Sequence, residues 1–394
     1  MSERRERGTG SITERNGQWQ ARYGFFDPSG RRRQRSAIFE SKTKARQWLT
    51  ARLAELAGGP TADPGSITVG QYLEEWLRSL GMAQLEAATV SWYRTAVQRH
   101  IVPAIGGIKL AKLTPVTIEA FLADKAARGH LGGRGKQARR AGQPLAPTSV
   151  RRLQVTLHKA LDAAMRKGLL PRNPCDLADR VKLPASDVTL NVWTPDELTA
   201  FVQATSNDRL AALWRLDAMT GLRRSEVCGL GWPDLDLDGG RLSVRRAVVI
   251  VDGMPHVKPP KTARSRRTVE LDSQTVAALR EHRKAQLEER LRAGTAWTPG
   301  EWLFTNEIGQ PLRPDWVGRR FSTVVAAAGL RPISMRQLRH SHATALLAAG
   351  EHPKIVQERL GHSSISITLD TYSAVLPNMQ RDAVERLARS MGGG

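Results

Sequence analysis

The sequence predicts a multidomain α+β chain: a small ββ(β)α unit, an all-α segment, and a mainly α segment carrying a small antiparallel sheet. Three observations lead there. The chain has 394 residues, more than one ordinary domain holds. A Gly/Pro break, GGPTADPGS at Gly58–Ser66, separates two stretches of different character. The apolar pattern alternates at first, turns helical, and returns to alternation only briefly near residue 250.

In the first unit, WQARYGFF (Trp19–Phe26) and RRRQRSAIF (Arg31–Phe39) alternate large and polar side chains around the turn Asp27–Gly30, which reads as a hairpin. Ser41 can cap a following helix in which Ala45, Trp48, Leu49, Leu53 and Leu56 recur at helical spacing. In the second segment, Val69, Tyr72, Leu73, Trp76, Leu77 and Leu80 form one stripe. Further helices are expected over Thr89–His100, Pro115–Arg128 and Thr148–Lys167, with a Gly-rich basic loop, HLGGRGKQARRAGQP, between the last two. The third segment opens with TPDE at Thr194–Glu197, a capping box with Pro at the first helical position. Strand-like LSVRRAVVIV follows, then a turn at Asp252-Gly253 and a further run at Arg266–Leu271. Residues 281–292 read as a solvated helix, and helix resumes from Pro332. The expected divisions are 1–58, 66–183 and 190–394.

Charge narrows the partners. Lys and Arg number 60 against 38 Asp and Glu, a formal +22, which points to a polyanion. The excess is concentrated: 13 basic against 6 acidic residues over 1–60, and 12 against 3 over 131–182. A two-stranded ribbon fits the major groove of B-DNA, so Arg22, Arg31, Arg32, Arg33 and Arg35 are candidate contacts. Arg134, Lys136, Arg139, Arg140 and Arg151 suit phosphate-backbone contact, which positions without reading sequence. No apolar run approaches the roughly 20 residues that span a bilayer, and MSERRERGTG lacks a signal-peptide core, so a cytoplasmic chain with no membrane partner is expected. Cys175 and Cys228 have no metal or redox spacing and read as small buried residues.

Four strings in the third segment carry chemistry. TGLRRSEVCGLGWPDLD holds Arg223 and Glu226, and PPKTARSRRTVEL holds Lys261. SMRQLRHSHAT holds Arg336, Arg339 and His340; LGHSSISITLDTYS holds His362 and Tyr372. In this order they resemble the conserved boxes of the tyrosine recombinase (phage integrase) family. The TGxR box matches at Thr220, Gly221 and Arg223, the PKT lysine at Lys261, HxLRHxxAT at Leu338, Arg339, His340, Ala343 and Thr344, and LGH at Leu360–His362. The first two segments resemble that family's arm-type and core-type (helical, SAM-like) DNA-binding domains.

The residue types suit the chemistry that the resemblance implies, cleavage and rejoining of DNA through a 3′-phosphotyrosyl intermediate without metal, cofactor or ATP. Tyr372, with a side-chain pKa of about 10 when unperturbed, must be activated by its site. Arg223 and Arg339 present planar forks to phosphate oxygens and stabilise the pentacoordinate transition state, where one donor is typically worth on the order of 10²–10³ in rate. Lys261 is placed to protonate the departing 5′ oxygen, while His362 either hydrogen-bonds the phosphate or assists the tyrosine proton. Arg336 departs from the pattern, since histidine usually stands there; it supplies a fixed cation that cannot relay a proton. His340, His342 and Glu226 read as supporting residues.

The resemblance also implies a homo-tetramer on double-stranded DNA attachment sites, with a directionality factor and a host DNA-bending protein as possible partners. Met379, Val384, Leu387 and Met391 form an apolar stripe that docks on a neighbouring protomer or packs in cis. Two other readings stand beside an integrase: type IB topoisomerase-like relaxation, which the basic N-terminal unit disfavours, and a non-catalytic DNA-binding regulator.

Overall fold

The computed structural model describes residues 10–26, 31–57, 66–82, 85–132, 141–182, 191–259, 266–362, 364–366, 369, 384–385, 387–389 and 391. It falls into two compact units, Met1–Ser186 and Asp187–Gly394.

The first unit begins with an antiparallel sheet of β1 (Ser11–Arg15), β2 (Gln18–Phe26) and β3 (Arg32–Phe39), in that order. The strand ahead of the expected hairpin is β1, and its turn is Asn16-Gly17, both at positive φ (53° and 74°). A two-residue hairpin of this kind needs just such left-handed residues. The Ser41 hydroxyl accepts the Lys44 N–H at 3.3 Å and starts α1 (Lys42–Ala57). Ala21, Tyr23, Ala45 and Leu49 are buried between sheet and helix, with Trp19, Phe25, Phe39 and Trp48 packed around them.

That inward set divides the basic strand residues. Ala21 and Tyr23 face the helix, so Gln20 and Arg22 face outward, and register places Ser36 opposite Arg22 and Arg32 opposite Phe26. Arg32 therefore shares the outer face with Arg22, whereas Arg33 and Arg35 take the helix side. Arg35 lies 5.7 Å from the centre of the Phe25 ring. Arg31 precedes β3.

The helical part contains α2 (Val69–Ser79), α3 (Ala87–Ala96), α4 (Val102–Ile105), α5 (Pro115–Arg128) and α6 (Pro147–Arg166). Thr68 and Gln71 close a capping box on α2, and the stripe Val69, Tyr72, Leu73 and Trp76 is buried as expected. Tyr72 donates its hydroxyl to the Ala160 carbonyl at 2.6 Å, tying α2 to α6. The helix expected over Thr89–His100 ends at Ala96 and continues as a π turn, Val97–Ile101, into α4. Arg151 is exposed near the start of α6, and its neighbour Arg152 stacks 3.8 Å above the Trp92 ring. Arg134, Lys136, Arg139 and Arg140 lie outside the described residues.

The second unit opens with α7 (Pro195–Ala204), capped by Thr194 and Glu197 as expected, followed by α8 (Ala211–Thr220) and α9 (Arg224–Val227). The run 242–251 is not one strand. It breaks at Arg245-Arg246 into β5 (Arg241–Val244), which pairs with β4 (Leu235–Asp236) and β8 (Arg267–Glu270), and β6 (Ala247–Val251), which pairs with β7 (Met254–Lys258). Asp252-Gly253, at φ 48° and 83°, makes the β6–β7 turn.

Helices α10 (Ser273–Ala293), α11 (Pro314–Ala327), α12 (Met335–Ala348) and α13 (Pro353–Leu360) complete the unit. The stretch 281–292 is solvated at most positions, as expected, with His282 and Gln286 buried and even Leu287 and Leu291 exposed. Helix α11, which the sequence reading passes over, buries Val317, Phe321, Val324 and Val325. Trp193, Phe201, Trp214 and Phe321 form the aromatic centre of the core. Cys175 and Cys228 are both buried. Val384, Leu387 and Met391 are exposed, and Met379 lies outside the described residues.

Candidate active site

Two helices end on left-handed glycines, and the site is built between those ends. Gly221 closes α8 at φ 59°, and Gly361 closes α13 at φ 67°. Both belong to the sequence boxes TGLR and LGH, so each glycine serves as a helix stop. The last carbonyls of a helix have no partner within it and carry partial negative charge, which guanidinium groups satisfy.

Three arginines from three elements converge on three consecutive carbonyls at the end of α13. Arg267 Nε, from β8, donates to the Arg359 carbonyl at 2.6 Å. Arg339 Nη2, from α12, donates to that of Leu360 at 2.7 Å. Arg223 Nη2, just ahead of α9, donates to that of Gly361 at 3.2 Å. Arg339 also spans to the other helix end, donating Nη1 to the Gly221 carbonyl at 2.8 Å.

Beneath Arg223 lies Glu226, only 3% exposed. It takes the Arg223 guanidinium at 2.7 Å and the Arg223 backbone N–H at 2.9 Å, and Arg267 Nη2 at 3.0 Å. Burial alone would push this carboxyl upward, but Arg267 and then Arg223 outweigh it and hold it below the usual glutamate range. Glu226 is therefore the anionic bridge between Arg223 and Arg267.

His362 follows Gly361 and is half-buried, its N–H donating to the Gln357 carbonyl at 3.1 Å. Burial first, then Arg339, Arg223 and His340, push its pKa down to about 4. His340 is lowered to about 4 by burial and by Arg336 and Arg339. These electrostatic reaches bring Arg223, Arg339, His340 and His362 together. His342 lies behind them, accepting the Arg359 Nε–H on Nε2 at 3.2 Å and donating Nδ1–H to the Ala218 carbonyl at 3.1 Å. Arg336 is exposed at the start of α12. Lys261 and Tyr372 lie outside the described residues.

Two further residues surround the site. Asp217, on α8, is fully buried within electrostatic reach of Arg339 and Glu226, and neither of its carboxylate oxygens has a hydrogen-bond partner among the described residues. Burial raises its pKa well above the ordinary value, against the lowering influence of Arg339. Arg267 was legible as a strand residue but not as a site residue. Its signal is period two: it shares the inward face of β8 with buried Val269, and an inward arginine needs a partner.

Comparison with known proteins decides the family. Residues 191–379 match the model of the phage integrase family, and residues 68–125 match that of the phage integrase N-terminal SAM-like domain. The chain belongs to the phage integrase family. A tyrosine recombinase XerC-like protein of Caldanaerobacter subterraneus subsp. tengcongensis is 27% identical to this integrase over 366 residues, covering 88% of each chain. An integrase of Streptomyces ambofaciens is 27% identical over 408 residues, covering 98% of this chain and 97% of its own. Among solved structures, the Tn1549 transposon integrase in complex with a circular intermediate DNA shares the fold, with a TM-score of 0.64 at 19% identity over 82% of this chain and all of that one. The integrase is thus a tyrosine site-specific recombinase of mixed α+β fold. Among the described residues no helix is long and apolar enough to cross a membrane.

Proposed function

We propose that Arg223 and Arg339 form the phosphate clamp of this integrase, with Tyr372 as nucleophile, Lys261 as general acid, and His362 and Arg336 as further phosphate contacts. The observation that carries the reading is the anchoring of Arg223 and Arg339 on the adjacent carbonyls of Gly361 and Leu360. Two forks held side by side by main-chain acceptors are pre-set for the non-bridging oxygens of one phosphodiester. Arg223, with its side chain 40% exposed, supplies the accessible face of the clamp.

The Tyr372 oxygen attacks phosphorus, the bond from phosphorus to the 5′ oxygen breaks, and Lys261 gives that oxygen its proton. The 3′-phosphotyrosyl bond keeps the energy of the cleaved linkage, and a 5′ hydroxyl from a second strand reverses the reaction. His362, neutral near pH 7, hydrogen-bonds the phosphate or takes part in moving the tyrosine proton.

The substrate is double-stranded DNA at the attachment sites of a phage or integrative element, joined by four copies of the chain because two duplexes present four strands. The divisions 1–58, 66–183 and 190–394 act as arm-binding, core-binding and catalytic parts. Arg22 and Arg32 read or grip DNA from the outer sheet face, with Arg31 just ahead of β3, while Arg33 and Arg35 reach DNA only past the helix-side edge of the sheet. Arg134, Lys136, Arg139, Arg140 and Arg151 hold core-site phosphates. A directionality factor and a host bending protein choose between integration and excision, and the reaction takes place in the cytoplasm.

The test is covalent capture on a random pool of nicked duplexes, read on denaturing gels. Wild type should give a DNA-linked band that Tyr372→Phe lacks. Binding of the pool without any adduct would overturn the assignment and favour a non-catalytic regulator.

A further inference from the structure

The role of Arg267 goes beyond the clamp assigned above and rests on it. Its side chain is only 6% exposed, in a segment whose neighbours Arg266 and Thr268 are exposed. A buried arginine is stable only where acceptors surround its fork, and here they come from two elements. Nη1 and Nη2 lie 3.3 and 3.0 Å from the two carboxylate oxygens of Glu226, while Nε donates to the Arg359 carbonyl. The same two oxygens of Glu226 receive Arg223 from the other side. Gly361, the acceptor for Arg223, packs so closely on Arg267 that a Cβ there would meet its Cδ at 3.1 Å.

Arg223 is thus held by two acceptors, Glu226 and the Gly361 carbonyl, and Arg267 contacts the support of both. Without Arg267, Glu226 would have a single cationic partner among the described residues, would draw Arg223 more strongly toward itself, and would lose its tether to the end of α13. We infer that Arg267 is a positioning residue for Arg223: it shares out the charge of Glu226 and fixes that carboxylate to the α13 terminus, so that Arg223 stays directed at the phosphate. It does not touch the reacting atoms.

The experiment is a double-mutant cycle on the full chain, using a nicked duplex recovered by covalent capture with wild type. Adduct formation rate and duplex affinity are measured for Arg223→Lys, Arg267→Gln, Arg267→Lys and the double variant Arg223→Lys/Arg267→Gln. Arg267→Gln should slow adduct formation by about 10- to 100-fold, the range a misaligned group produces, with duplex affinity unchanged. In the Arg223→Lys background the same change should have little further effect, because it acts through a side chain already removed. Arg267→Lys, which keeps the charge but not the fork, serves if the glutamine variant does not fold; it should be slowed and equally non-additive with Arg223→Lys. Additive losses, or wild-type rates for both Arg267 variants, would overturn the inference. A wild-type rate for Arg223→Lys would instead overturn the clamp, and the positioning role with it.

Discussion

Arg339 and Gly221 are joined by a 2.8 Å hydrogen bond from Nη1 to the backbone carbonyl, which fixes the arginine to the end of α8. The residue must be glycine for two reasons. Its φ is 59°, and a Cβ would lie 2.7 Å from Cδ2 of His342. Gly221→Ala should therefore destabilise the second unit by about 1–3 kcal/mol and lower adduct formation more than it lowers DNA affinity. Urea unfolding and capture rates on the same preparation check both. A variant with wild-type stability would mean that this helix end tolerates the side chain.

Acid should unfold this unit through its histidines. His340, His342 and His362 are held at about 4, 3 and 4, below the ordinary 6.5. A folded-state value below the unfolded one means that the unfolded chain binds more protons between the two. The stabilising contribution is complete above about 6.5 and is lost progressively as pH falls toward 4 and 3. His342→Gln should flatten that slope, since this ring must stay neutral to accept from Arg359 and donate to Ala218. Thermal unfolding between pH 4 and 7 gives the comparison, and parallel curves for the two proteins would refute it.

Asp217 has the opposite sign. Its folded value is raised, so the folded chain keeps a proton that the unfolded chain releases, and stability falls as pH rises above the unfolded value of about 4. Asp217→Asn carries no such burden. It should be more stable than wild type at pH 7, by on the order of 1–3 kcal/mol, with the gap closing near pH 4. The histidine effect is common to both chains and cancels in the difference. A gap that does not change with pH would show that the carboxyl is not held protonated.

Arg336→His should leave adduct formation within about tenfold of wild type and add a pH dependence near 6.5 that wild type lacks. The exposed position of Arg336 leaves room for the exchange. The measurement is the capture rate from pH 5.5 to 8, and abolished capture would show that this site depends on the fixed cation.

On the N-terminal sheet, Arg22→Ala should weaken DNA binding by the full chain more than Arg35→Ala does. Arg22 donates to Gln20, whose amide reaches Ser36, on the outer face, whereas Arg35 turns toward Phe25. Fluorescence anisotropy on duplexes recovered by the full chain distinguishes them, and equal losses would mean that both edges of the sheet meet DNA.

Much of this architecture was legible from periodicity. The Thr194–Glu197 box starts α7, Pro115–Arg128 is a helix to the residue, and the 3.6-residue stripe from Val69 is buried. Other elements were hidden for physical reasons. The run 242–251 looks continuous because each half is apolar, yet Arg245 and Arg246 turn toward buried Asp234, at 4.0 and 2.9 Å, and send the two halves to different sheets. In the candidate site, the boxes singled out Arg223, Arg339 and His362, which lie within electrostatic reach of one another. Arg267 and Asp217 carry no box signal, because their importance arises from burial and from partners distant in the sequence. Lys261 and Tyr372 remain readings of the sequence.

The acceptors that hold Arg267, Arg339 and Arg223 are peptide carbonyls at positions 359, 360 and 361, and every amino acid has one. Substitutions that preserve the helix and its glycine stop can therefore accumulate around these positions without removing an acceptor. What inheritance must preserve here is the place where a helix ends, more than the letters that spell it.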